Sequence, residues 1–132
     1  MNRTSKLVGR VISGFSEPND RTLVFRTDAG EVKWSVDGDC CSESLFTDVR
    51  INDVIGRRIT KVRELNMVDP LLAPGNLSAS RSLQDVEQVY GLTIEAGDVT
   101  GLVVYRNYSN GYYGGSLSED GEWVHGWNGE ES

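Results

Sequence analysis

The stretch VTGLVVYRNYSNGYYGGSL, residues 99–117, decides how the rest of the chain is read. Leu102, Val103, Val104 and Tyr105 form a short apolar run of β-branched and aromatic residues, the composition of a strand. Ser109, Asn110 and Gly111 follow, and Asn-Gly is the strongest short-range hairpin signal a sequence carries. The expectation is a strand over 102–108, a tight turn, and a return through Tyr112, Tyr113, Gly114 and Gly115. Four of the five tyrosines fall here (Tyr105, Tyr108, Tyr112 and Tyr113), together with Arg106. Strand alternation would put Val104, Arg106 and Tyr108 on one face, and Val103, Tyr105 and Asn107 on the other. Two readings stay open at this point. One is a hairpin braced by cross-strand tyrosine pairs; the other is a ligand surface of stacking rings, a guanidinium and backbone amides.

Upstream of this stretch the chain is a series of short alternating runs. Leu7 to Phe15 reads as a first strand and Ser16 to Asp20 as a turn cluster. Thr22 to Val36 reads as a hairpin around Asp28, Ala29 and Gly30, with Leu23, Phe25, Val32, Trp34 and Val36 on one buried face. Val49 to Ile55 has the spacing of one or two helical turns stopped by Gly56, and Arg57 to Leu65 favours strand weakly over helix. Residues 67–85 carry Pro70, Pro74, Gly75 and a run of small polar residues, the make-up of a long loop that could close over a site. Val86 to Ser109 predicts a hairpin around Ala96, Gly97 and Asp98. Glu119 to Glu122 predicts another, and Trp123 and Val124 a last edge strand before an acidic, frayed tail at 128–132. The sum is a mainly β fold with minor α content (α+β). It has seven or eight short antiparallel strands in hairpins and meanders and one or two short helices, in a single domain over residues 1–132.

Composition narrows the chemistry. The formal net charge is −7, which argues against coating long nucleic acid through phosphate contacts. The acids Glu119, Asp120, Glu122, Glu130 and Glu131 crowd the end of the chain. Residues 50–64 are locally basic through Arg50, Arg57, Arg58, Lys61 and Arg63, either as a solvated face or as a hold for a small anion. No apolar run is long enough to span a membrane and MNRTSKLVG is no signal peptide, so the expected location is the cytoplasm. Cys40 and Cys41 are the only cysteines and are adjacent, so they offer neither a disulfide framework nor a zinc set, and read as reduced. His125 is the only histidine, which leaves no His-based triad, and no glycine loop precedes a phosphate-binding lysine. The expectation is a binding protein rather than an enzyme, with no cofactor and no metal. Stacking on a ring stabilises a base by about 1–3 kcal/mol, enough for an anionic aromatic ligand to be held without chemistry.

Two motifs carry a resemblance. DCCSESLFTDV (Asp39 to Val49) followed by GLVVYRNYSNGYYGGSL (Gly101 to Leu117) resembles the phage-encoded Thoeris anti-defence sponge family. The resemblance covers roughly Leu23 to Leu117, with SNGYY its most distinctive part. It implies a non-enzymatic protein that sequesters cyclic nucleotide immune signals, of the cyclic ADP-ribose type or cyclic oligonucleotides, without cleaving them. It also implies homodimers or larger symmetric homo-oligomers, a hexamer among them, with pockets at subunit interfaces in the cytoplasm of a bacterial host. The ligand-binding candidates are Arg106, Tyr108, Asn110 and Tyr112, followed by Arg81, Arg57 and Arg26, with Arg21 weaker. The alternative is a non-enzymatic interaction or inhibitor module that grips another protein with the tyrosine-rich hairpin.

Overall fold

Alternation of apolar and polar side chains sets the inward face of each strand. In the computed structural model, which describes residues 4–38, 42–66, 69–78, 86–109 and 115–126, nine strands form two antiparallel sheets. The first sheet takes β1 (Ile12–Asn19), β2 (Thr22–Thr27), β3 (Gly30–Gly38), β8 (Gly115–Glu119) and β9 (Glu122–Gly126), in that spatial order. The second takes β4 (Ser42–Arg50), β7 (Val99–Ser109), β6 (Val86–Ala96) and β5 (Lys61–Glu64). Leu23, Phe25, Val32, Trp34, Val36 and Leu117 of the first sheet join Phe46, Tyr90, Leu92, Ile94, Val103 and Tyr105 of the second in one core cluster. Phe25 meets Trp34 edge-on with ring centroids 4.9 Å apart, and Tyr90 stacks on Tyr105 at 4.8 Å. Burial pushes the Tyr105 hydroxyl well above its ordinary value, with the neighbouring Tyr90 and Glu64 adding to the shift.

Three expected hairpins are present. β2 and β3 turn through Asp28 and Ala29, β6 and β7 through Gly97 and Asp98, and β8 and β9 through Asp120 and Gly121. The hairpin expected over 99–117 is not. β7 pairs with β4 and β6, whereas β8 pairs with β3 and β9 in the other sheet. The Asn-Gly signal is local, and here it loses to long-range pairing: both edges of β7 are already occupied, so a returning strand has no free edge to join. Other boundaries shift too. β1 starts at Ile12 and takes in Ser16 to Asn19, while residues 6–9 make turns across one end of the core, where Leu7 is fully buried. No α-helix occurs among the described residues. The helical turns expected near 49–55 reduce to one 3-10 turn, Asn52–Val54, because β4 runs on to Arg50. Two more 3-10 turns, Pro70–Leu72 and Pro74–Asn76, lie within the long connection.

The run Leu102 to Tyr105 is continuously apolar because its sheet is covered on both sides. Val103 and Tyr105 face the other sheet, while Leu102 and Val104 pack with Leu72 and Leu77 of a strap, residues 69–78, and with Leu65 and Val89. Gly91 lets the strap seat: a Cβ there would meet Leu72 Cδ2 at 2.5 Å.

At the far end of β8, the fully buried Glu119 carboxylate accepts hydrogen bonds from the Ser5 hydroxyl, the Lys6 N–H (2.8 Å) and the Trp34 indole N–H (2.9 Å). It ties the start of the described chain to the core. Replacing a carboxylate that faces three donors leaves at least one of them unmatched. Glu119→Gln is therefore expected to cost about 2–3 kcal/mol, seen as a lower urea midpoint at unchanged slope. A midpoint equal to that of the unaltered protein would show that this contact holds nothing.

Candidate functional site

Register brings the ends of three connections to one edge of the molecule. In the second sheet Ser42 pairs with Ser109, and Ser109 with Val86, so β4, β7 and β6 all begin or end on one row. In the first sheet Gly38 pairs with Gly115. Residues 39–41 and 110–114 therefore both cross between the sheets at this corner, and the connection that follows Ser78 returns to the same row at Val86.

A polar cluster backs the corner. The Ser44 hydroxyl lies 2.7 Å from the Asn107 side-chain oxygen and 3.1 Å from the Asp37 carbonyl, and the Asn107 amide donates to Gln88 at 3.2 Å. Gly115 passes over this cluster, and a Cβ there would sit 2.5 Å from Ser44 Oγ and 3.0 Å from Asn107 Cβ. The double glycine at 114–115 thus has a packing reason at its second member.

On the outer face of the same sheet, three rows in at Arg106, lies a buried ionic cluster. Arg106 is 3% exposed and donates from Nη2 to the Ser78 carbonyl at 2.5 Å. Asp48 and Glu87 flank it with carboxylate oxygens at 3.9 and 3.8 Å. Asp48 accepts from the Ser78 N–H, the Ser78 hydroxyl and Arg50 Nη2, each at 3.0 Å. All three polar groups of Ser78 are held by these two buried side chains. Arg106 Nε has no hydrogen-bond acceptor among the described residues.

The candidate residues divide accordingly. Arg106 is inside the protein, neutralised by two carboxylates and bonded to the strap. Tyr108, 1% exposed, is buried on the same outer face. Asn110, Tyr112 and Arg81 lie outside the described residues, in two of the connections whose ends meet at the corner. Arg57 is exposed near the other end of β7, where Ile51 packs on Gly101, roughly 25 Å from Ser109 by strand rise. Arg26 is exposed on the first sheet with its guanidinium over Gly14, and Arg21 is exposed at the turn between β1 and β2. The register brings one end of each connection that holds Arg81, Asn110 and Tyr112 to a shared row. Arg57 lies toward the opposite end of the second sheet, Arg26 pairs with Glu31 in the first, and the Arg21 carbonyl accepts from the Val36 N–H two residues before Gly38. Asp48 and Ser78 escaped sequence reading; the trace they leave is an aspartate within an otherwise strand-like run, FTDVRI. Among the described residues no group of three or more His, Cys, Asp and Glu side chains is placed to hold a metal ion, and no helix is long and apolar enough to cross a membrane.

Residues 5–118 match the family model DUF7448, a domain of unknown function. The chain belongs to this family. No curated protein and no solved structure matches it. The family description assigns no activity, so the likeness to anti-defence sponges rests on the two motifs alone.

Burial works to raise the Asp48 pKa, but the Ser78 N–H and hydroxyl bonds and the Arg50 charge outweigh it and hold the carboxyl below its ordinary value of 3.8. A carboxylate with a lowered folded-state pKa stabilises the fold above the unfolded pKa and gives that up as pH falls through the folded one. Stability is thus expected to decline below about pH 4, with a shallower decline in Asp48→Asn, since Asp120 and Glu95, also lowered, still titrate. Urea midpoints measured at pH 7 and pH 3 give the two slopes. Equal slopes in both proteins would rule out Asp48 as a contributor.

Proposed function

We propose that this protein binds a cyclic nucleotide signal and sequesters it intact, at the corner where the three connections meet. The observation that carries the proposal is the shared row Ser42–Ser109–Val86, on which residues 39–41, 79–85 and 110–114 all terminate. Connections gathered at one end of a rigid two-sheet scaffold are where β proteins usually place recognition. These three contain the Asp-Cys-Cys motif, Arg81, and Asn110 with Tyr112 and Tyr113. Strands from both motifs that resemble the sponge family end at this row, although 51 residues lie between the motifs in sequence.

The electrostatics change how such a ligand would be held. Arg106 is committed to Asp48, Glu87 and Ser78, and the three connections carry Arg81 against Asp39 and Asp85. Affinity would then come from base stacking on tyrosines and from backbone amides more than from charge. Symmetric homo-oligomers that complete the pocket belong to the same proposal.

A second reading is a grip on another protein, and one observation favours it. Residues 109–116, SNGYYGGS, consist solely of Ser, Asn, Gly and Tyr, the residues enriched in antibody binding loops.

Native mass spectrometry with a panel of cyclic nucleotides separates the readings. The proposal expects a mass increase by whole ligands and recovery of the same molecules on heating. The double variant Tyr112→Ala/Tyr113→Ala should lose about 10- to 100-fold in affinity with little change in melting temperature. A hydrolysed product would replace sequestration by catalysis, and no binding across the panel would leave the protein-binding reading.

A further inference from the structure

The outer face of the second sheet carries a cover that is not itself part of the sheet. Residues 69–78 sit on it through Leu72 and Leu77, which pack with Leu102, Val104 and the half-buried Leu65 and Val89. We propose that this strap is a detachable cover. It leaves the sheet as a unit while the core between the sheets stays closed, and so uncovers the apolar seat of Leu65, Val89, Leu102 and Val104 that it occupies at rest. The inference does not depend on what the protein binds.

Four features carry it. First, the strap holds its own shape. The Leu72 N–H donates to the Asp69 carbonyl at 2.9 Å, the Ala73 N–H to Pro70 at 3.1 Å and the Asn76 N–H to Ala73 at 2.9 Å. The Asp69 carboxylate accepts from the Leu71 N–H, and the Asn76 amide donates to the Leu71 carbonyl, so the two 3-10 turns survive separation. Second, the sheet keeps its bonds as well, since β7 is paired along its length with β4 and β6. What separation breaks is contact with side chains. Third, that contact is small. Among the described residues the cluster under the strap has three buried apolar side chains, Leu72, Leu102 and Val104, against eighteen in the core between the sheets. A satellite cluster under a long connection opens at a lower free energy than the core. Fourth, the seat is shaped in advance. Gly91, paired with Val104, lacks the Cβ that would stand 2.5 Å from Leu72 Cδ2, so the strand leaves a space that Leu72 fills from above. At rest the cover stays down, because lifting it exposes Leu102 and Val104 to water and takes Ser78 from the buried Asp48 and Arg106.

Thiol labelling at two neighbouring positions tests the claim without any ligand. Val103 and Val104 are both fully buried, but Val103 lies in the core between the sheets and Val104 in the cluster under the strap. Val103→Cys and Val104→Cys are each exposed to a thiol reagent in rising urea, with peptide mass mapping to separate the natural Cys40 and Cys41. The thiol at 104 is expected to react about 100-fold faster or more than the thiol at 103. Its rate should change little with urea below the unfolding transition, because a local opening exposes little surface. Leu72→Ala, added to each, is expected to raise the rate at 104 by about tenfold or more and to leave the rate at 103 unchanged. Should either variant fail to fold, Leu102→Cys under the strap and Val32→Cys in the core give the same comparison. Equal rates at the two positions with one urea dependence would overturn the proposal, as would the same acceleration, or none, at both from Leu72→Ala. Cover and core would then open together.

Discussion

The constraint on which the rest of the structure depends is the pairing of two continuous lengths of chain, β3 into β4 and β7 into β8. Gly38 faces Gly115 in one sheet and Ser42 faces Ser109 in the other, so both lengths pass between the sheets at the same place, in opposite directions. Everything near that corner follows from sharing it. Three residues cross on one side and five on the other, and Gly115 must lack a Cβ because Ser44 and Asn107 lie beneath it. The inward faces of β3, β8, β4 and β7 then close on a common core from Trp34 to Tyr105.

Buried ionised groups mark both ends of this arrangement. At one end Glu119 gathers Ser5, Lys6 and Trp34, and at the other Asp48 and Arg106 gather Ser78. Each joins an irregular segment to a sheet. Hydrophobic contact is indifferent to small slides, whereas a hydrogen-bonded ion fixes a residue to a position. In a chain of net charge −7, carboxylates used in this way are removed from surface repulsion and given donors instead.

Much of the local structure was legible in the sequence, and for physical reasons. The inward set Leu23, Phe25, Val32, Trp34 and Val36 alternates with polar residues because the first sheet faces solvent on one side. Asp120-Gly121 and Gly97-Asp98 form the two-residue turns their composition favours. What the sequence concealed was pairing at a distance. Asn110-Gly111 reads as a hairpin turn unless one knows that β4 and β6 already flank β7. Arg106 reads as a ligand-binding cation unless Asp48, 58 positions earlier, and the Ser78 carbonyl are placed beside it. Asn110, Tyr112 and Arg81 lie outside the described residues, in segments whose described ends at Ser109 and Val86 share one row, whereas Arg57 and Arg26 had only charge to recommend them.

The shared corner is the central claim, and interstrand nuclear Overhauser contacts in solution test it most directly. The account predicts backbone cross-peaks at the pairs Val36–Leu117 and Phe46–Tyr105, which place β8 beside β3 and β7 beside β4. A closed hairpin turning at Asn110-Gly111 would instead pair Tyr105 with Ser116 and Val103 with Ser118. Cross-peaks in that second register would contradict the account.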